Sequence, residues 1–85
     1  MTEHSILIVE DELIIAEDLK IQLEAAGYPV VGVVDTGEDA VRYVDSEHPE
    51  LVLMDIKLAG SMDGIEAAGA IQEQHDVPVV YLTAN

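Results

Sequence analysis

The sequence contains no cysteine, so disulfides and thiolate metal sites are excluded and the redox compartment stays open. Apart from histidines its only basic residues are Lys20, Arg42 and Lys57, against 18 acids, and its net charge is −15. That charge repels phosphate backbones and anionic membranes, so we expect neither direct nucleic-acid contact nor membrane binding. No apolar run is long enough to span a bilayer, and no charged-then-apolar leader opens the chain. We therefore expect a soluble, cytoplasmic protein.

The length of 85 residues predicts one small domain over residues 1–85. A chain of this size buries only roughly 60% of the surface that its unfolded form exposes, so little stability is to spare. The hydrophobic content of 49% is higher than disordered chains show. The composition therefore predicts a folded core.

Four short apolar runs are rich in β-branched residues and unbroken by polar alternation, which is typical of strands buried on both faces. Helical patterns separate them: one begins near Glu12 and ends before Gly27, and the others begin with capping signals at Thr36 and Asp63. Strands that alternate with helices predict an α/β fold, with a parallel sheet between two helical layers. The predicted strands are 6–9, 30–34, 51–54 and 79–82.

Acidic residues stand where these strands end, with Glu10 and Asp11 after the first and Asp55 after the third. In an open α/β sheet ligands bind outside the carboxyl ends of strands, so the three acids converge if those strands are neighbours. Two carboxylates roughly 5 Å apart repel by about 3 kcal/mol at an effective dielectric of 20, and a hard cation such as Mg²⁺ would relieve this. Asp35 also follows a strand, which shows that the position alone is weak evidence. A metal site and a solvated acidic surface both stay open on spacing alone.

Four segments in order carry a resemblance that covers essentially the whole chain: residues 6–12 (ILIVEDE), 51–57 (LVLMDIK), 62–66 (MDGIE) and 78–84 (PVVYLTA). Together they resemble the response-regulator receiver family of two-component signalling. The resemblance implies a flavodoxin-like doubly wound sheet with strand order 2-1-3-4. It also implies a regulatory phosphoacceptor domain, which assists its own phosphorylation and dephosphorylation and is not a turnover enzyme.

The resemblance assigns the site residue by residue. It implies that Asp55 is the phosphoacceptor and that Mg²⁺ is held by Glu10, Asp11, Asp55 and the backbone carbonyl of Lys57. It further implies that the hydroxyl of Thr83 hydrogen-bonds the phosphoryl group and drives the switch, and that the small Ala84 leaves room for that group. The implied phosphodonor is a histidine kinase.

The sequence departs from the family pattern in three places. The loop after the third strand has Ala59 where a proline is usual and one extra residue before Met62, and Glu10 replaces the commoner aspartate. The family continues past the position of Asn85 with a helix, a fifth strand carrying a lysine, and a last helix. The sequence is therefore expected to be either a fragment of a longer regulator or a truncated receiver. In both cases we expect the fourth strand to form an exposed apolar edge, and we expect the chain to self-associate through that edge.

Two other function classes stay open. A degenerate receiver would bind partners without phosphorylation; the absent lysine favours it, whereas Asp11, Asp55 and Thr83 argue against it. A hydrolase with an aspartyl-phosphate intermediate would need a second carboxylate two residues beyond the nucleophile, where Lys57 stands. The histidines at positions 4, 48 and 75 lack metal spacing and are interpreted as surface residues, and no Gly-rich nucleotide loop is present.

Overall fold

The computed structural model of the chain describes residues 5–58 and 60–82. Strands and helices alternate throughout, so the predicted α/β class is confirmed. In chain order the elements are β1 Ile6–Val9, α1 Leu13–Ala25, β2 Val30–Val34, α2 Gly37–Glu47, β3 Leu51–Asp55, α3 Gly64–Gln74 and β4 Val79–Leu82.

The strands form one parallel sheet in the order β2-β1-β3-β4, which is the predicted doubly wound order. β1 lies between β2 and β3, and all four of its residues are buried. In the register of β1 with β3, Val9 pairs with Met54. The next residues along each strand therefore emerge side by side at the carboxyl edge of the sheet, which is where the polar residues lie.

Helices cover both faces of the sheet. α2 and α3 pack on one face, where Val44 and Ile71 join the side chains of Leu7 and Met54 in a buried cluster. On the other face Ala16 of α1 packs with a smaller cluster from the strands. Each fully buried aliphatic side chain contributes about 1.5 to 3 kcal/mol, so the α2–α3 face contributes more of the stability than the α1 face.

Side-chain caps begin two of the helices at the residues that the sequence indicates. The Oγ1 atom of Thr36 accepts a hydrogen bond from the backbone N–H of Asp39 at 3.1 Å, at the start of α2. At the start of α3, Asp63 and Glu66 form a reciprocal capping box. These caps fix the first turns of both helices next to the carboxyl edge of the sheet.

α1 exposes more large apolar side chains than the other two helices do. Ile14 and Ile21, two turns apart, are 85% and 63% exposed, and Leu13 is 71% exposed. Of the apolar residues at i, i+4 and i+8 in this helix, Leu19 and Leu23 pack towards the sheet, whereas Ile15 is 41% exposed. None of the helices in the described residues is long and apolar enough to cross a bilayer.

Candidate functional site

Three carboxylates converge at the carboxyl edge of the sheet. Glu10 and Asp11 follow β1 and Asp55 ends β3, and each offers an oxygen atom that lies within 4.8 Å of the other two. Because β1 and β3 are parallel neighbours, their ends bring these side chains together as expected. Asp35 at the end of β2 does not belong to this group, which is the one group of its kind within residues 5–58 and 60–82.

Asp55 is held in place by the chain that follows it. Its Oδ1 atom accepts a hydrogen bond from the backbone N–H of Lys57 at 3.2 Å. The C=O of Ile56 accepts one from the N–H of Gly64 at 2.8 Å, at the start of α3. The carboxylate of Asp55 is therefore oriented by the beginning of the loop that joins β3 to α3.

Glu10 is the buried member of the group, with only 6% of its surface exposed. Its pKa is raised to about 7, chiefly by burial and then by the charge of Asp55, a hydrogen bond shared with Asp55 and the charge of Asp11. A hydrogen bond from the backbone N–H of Glu12 at 3.1 Å opposes the rise in that pKa. At neutral pH Glu10 is thus protonated in a large part of the molecules.

This arrangement fits a hard divalent cation. It offers only oxygen donors, which suit Mg²⁺, and a cation would relieve the repulsion that now raises the pKa of Glu10. The group also opens to solvent through a cleft of about 430 Å³. A cation bound there could therefore retain water ligands and also coordinate a phosphate oxygen. The cleft is lined by Glu10, Asp11, Glu12, Ile15, Leu19, Asp55, Lys57 and Leu82.

The raised pKa of Glu10 predicts a pH-dependent stability. Between its usual pKa of 4.5 and about 7, the folded chain keeps a proton on Glu10 that the unfolded chain has released. The free energy of unfolding therefore falls as pH rises through this window, by about 3 kcal/mol in total at 1.36 kcal/mol per pKa unit. Glu10→Gln cannot undergo this loss, and its amide oxygen can still accept from Glu12. With a chelator present to remove divalent cations, we expect Glu10→Gln to unfold at a higher urea concentration than the parent chain above pH 7. Near pH 4.5 the two chains should unfold at a similar urea concentration.

Added Mg²⁺ provides the control for this experiment. Because the cation favours the charged carboxylates, it should stabilise the parent chain at pH 8 and have much less effect on Glu10→Gln. Parallel pH dependences of the two chains in chelator would contradict the assignment of the pH effect to Glu10.

The remaining residues singled out in the sequence are placed as follows. Lys57 is exposed and lines the cleft. Thr83 and Ala84 lie outside the described residues; Leu82, which precedes them, is paired with Asp55 in the register of β3 and β4.

Two side-chain contacts were not foreseen from the sequence. His75 and Asp45 approach to 2.6 Å between Nε2 and Oδ1, and the ring of His48 lies 5.8 Å from that of His75. Ser61 in the β3–α3 loop donates a hydrogen bond to Glu38 of α2 at 2.6 Å. Both join residues far apart in the chain, so no local pattern could have revealed them.

Comparisons with known proteins agree with this geometry. The sequence profile of the response regulator receiver domain matches residues 6–85. The transcriptional regulatory protein YdfI of Bacillus subtilis is 38% identical over 81 residues, which are 94% of this chain and 38% of YdfI. The chain thus spans less than half the length of that relative.

Two solved structures are similar along nearly the whole chain. The signal receiver domain of a modulated diguanylate cyclase from Desulfovibrio desulfuricans G20 is 41% identical with a TM-score of 0.91, over 98% of this chain and 66% of that one. PhyR of Bartonella quintana, solved in complex with the anti-sigma factor NepR, is 37% identical with a TM-score of 0.86, over 95% of this chain and 33% of that one. The sheet order, the acids at the ends of β1 and β3 and these matches together establish that the chain belongs to the response regulator receiver domain family.

Proposed function

We propose that residues 1–85 form the phosphoacceptor module of a two-component response regulator, in which Asp55 takes a phosphoryl group from a histidine kinase. The observation that carries this proposal is the convergence of Glu10, Asp11 and Asp55 at the mouth of a solvent-open cleft. A structural role alone would not favour three mutually repelling carboxylates at one strand edge, because their repulsion destabilises the fold.

The reaction is a transfer between two nucleophiles. A carboxylate oxygen of Asp55 attacks the phosphorus of a phosphohistidine, the P–N bond breaks, and its electron pair stays on the imidazole nitrogen, which is then protonated. The N–H of Lys57 orients the attacking carboxylate. A bound Mg²⁺ would neutralise charge on the phosphoryl oxygens. Hydrolysis of the acyl phosphate by water returns Asp55 to a carboxylate.

The metal-holding set in this proposal is Glu10, Asp11, Asp55 and the backbone carbonyl of Lys57. The hydroxyl of Thr83 would donate to a phosphoryl oxygen, and Ala84 would leave space for the group. The register of β4 supports this placement, because the strand leads towards the site with Leu82 beside Asp55. The domain acts as a cytoplasmic regulatory switch, and its phosphorylated and unphosphorylated packings differ in population.

A second candidate is a receiver that binds a partner protein without phosphorylation. The exposed apolar side chains of α1 favour protein binding, since Ile14 and Leu13 are 85% and 71% exposed and stand directly after the acidic residues. The PhyR structure with NepR shows a relative bound to a protein partner. The two candidates differ in whether Asp55 is modified.

Intact-mass spectrometry after incubation with acetyl phosphate tests the proposal. One added phosphoryl group in the presence of Mg²⁺, and none in the presence of chelator, is the expected result. A chain that shows cooperative unfolding but no added mass under either condition would favour the phosphorylation-independent binding module instead.

The edge of β4 supports the prediction that the 85-residue chain self-associates. Val80 and Tyr81 on this edge strand are 47% and 41% exposed, and residues 77–82 carry no charge. On the opposite edge the hydroxyl of Tyr43 donates to the C=O of Val31 at 2.5 Å, which occupies one backbone acceptor of β2. The β4 edge is thus the more open to strand pairing.

Sedimentation velocity of the 85-residue chain checks this prediction. We expect a concentration-dependent dimer that Val80→Lys weakens at least about tenfold, because charge on an edge strand opposes pairing. Val33→Lys places the same charge on β2, the strand at the opposite edge of the sheet, and should leave the dimer intact. A strand added beyond β4 would cover the edge itself and abolish the dimer. Equal effects of the two lysines, or a monomer at high concentration, would refute pairing through β4.

A further inference from the structure

The loop between β3 and α3 is closed at its base. The chain leaves the sheet after Asp55 and enters α3 at Gly64, and the N–H of Gly64 donates to the C=O of Ile56 at 2.8 Å across the two ends. A change in the path of this loop can therefore displace Ile56, the residue next to Asp55.

A side-chain contact fixes the far end of the loop. The hydroxyl of Ser61 donates to Oε2 of Glu38 at 2.6 Å, which links the loop to the first turn of α2 across 23 residues. The hydrogen bond from Ser61 is the largest of the influences that lower the pKa of Glu38. Glu38 is thus a charged acceptor at neutral pH, and hydrogen bonds to charged acceptors are the stronger kind.

The backbone around this contact leaves little alternative space. Gly60 adopts φ +95°, and a Cβ atom there would lie 3.4 Å from Oε1 of Glu38. A Cβ atom on Gly37, next to Glu38, would lie 3.1 Å from the backbone oxygen of Met62. The loop therefore packs against the first turn of α2 on both sides of Ser61.

We propose that Glu38 and Ser61 are positioning residues for the phosphoacceptor, and that their hydrogen bond sets the rates at which Asp55 gains and loses its phosphoryl group. The inference rests on the proposed function. Its physical basis is that the loop starts with Lys57, whose N–H orients the Asp55 carboxylate. When the far end of the loop is released, the Lys57 peptide departs from this position for part of the time and water reaches the acyl phosphate more easily.

Ser61→Ala, Glu38→Ala and the double variant test the inference. From the range of net strengths of single hydrogen bonds, we expect each single variant to slow acceptance from acetyl phosphate and to shorten the lifetime of the adduct by roughly three- to tenfold. The double variant should add no further change, because both substitutions remove the same contact. Ser61→Thr keeps the hydroxyl and should restore the parent rates. Ser46→Ala is the matched control, since Ser46 is also exposed and bonds to a backbone oxygen within α2.

Two readouts separate the possible outcomes. Hydrogen exchange of residues 57–63 should accelerate in Ser61→Ala while the chain still unfolds in one cooperative urea transition, and NMR titration should show a higher pKa for Glu38. Unchanged rates of acceptance and loss in a parent chain that is phosphorylated would overturn the inference and leave the proposed function intact. A parent chain that takes up no phosphoryl group would overturn the proposed function, and the role assigned to Glu38 and Ser61 with it.

Discussion

Asp55→Asn is expected to take up no phosphoryl group from acetyl phosphate in the presence of Mg²⁺, under conditions in which the parent chain gains one. An amide oxygen is a far weaker nucleophile than a carboxylate, so the covalent step is lost and not merely slowed. The fold should survive, because the amide still accepts from the N–H of Lys57. Removing the charge of Asp55 also removes one cause of the raised pKa of Glu10. Without Mg²⁺ the variant should therefore be as stable as the parent chain or more so.

Asp35→Asn is the matched control for this experiment. Asp35 also follows a parallel strand at the same edge of the sheet, but it lies outside the group of three carboxylates. Asp35→Asn should be phosphorylated at the same rate as the parent chain. Phosphorylation of Asp55→Asn, or its loss in Asp35→Asn, would mean that the acceptor lies elsewhere or that any acid at this edge can serve.

The sequence predicts the bounds of the strands well, because each strand is a short apolar run. The apolar runs at residues 6–9 and 51–54 are buried, as their pattern predicts. The prediction of burial on both faces is wrong for β2 and β4, which lie at the edges of the sheet and expose side chains such as Val31 and Val80. The caps at Thr36 and Asp63 are equally local signals, and both appear at the indicated residues. The convergence of the carboxylates then follows from strand order, because neighbouring parallel strands end at the same edge.

The exposed side of α1, the long-range side-chain contacts and the pKa of Glu10 depend on tertiary packing, which no local sequence pattern records. The periodicity of α1 indicates its inner side but not that Ile14 and Ile21 are left outside, which depends on what packs over the helix. The contacts of Ser61 with Glu38 and of His75 with Asp45 join residues 23 and 30 positions apart. The pKa of Glu10 depends on its desolvation, which the sequence does not give.

Gly64 shows how a sequence reading can find the right residue for an incomplete reason. Directly after the capping residue Asp63, a glycine at this position is typical of a turn or a helix cap. In the structure its φ is not in the left-handed region, since the positive-φ glycines among the described residues are Gly27 and Gly60. What requires glycine is close packing, because a Cβ atom there would lie 2.1 Å from the carbonyl oxygen of Asp55 and 2.8 Å from Cα of Ile56.

Gly64→Ala is therefore expected to be the most destabilising single substitution proposed. The atoms in the way belong to the backbone of Asp55 and Ile56, so the start of α3 must move away from the end of β3, which weakens the hydrogen bond from Gly64 to Ile56. Overpacking against atoms that cannot rotate away costs about 3 kcal/mol or more, out of the roughly 5 to 15 kcal/mol that hold a small domain folded. Because the displaced backbone carries Asp55, the surviving folded fraction should also accept a phosphoryl group more slowly.

Gly69→Ala separates this steric effect from a general effect of glycine substitution. Gly69 lies in the same helix, is exposed, and a Cβ atom there would meet nothing within 4 Å. Since alanine favours an exposed helix interior over glycine by about 0.8 to 1 kcal/mol, this variant should be more stable than the parent chain. Urea unfolding of the three chains should thus give opposite shifts for the two substitutions. A Gly64→Ala chain as stable as the parent would mean that α3 can begin further from β3, and that its close approach is not what holds Asp55 in place.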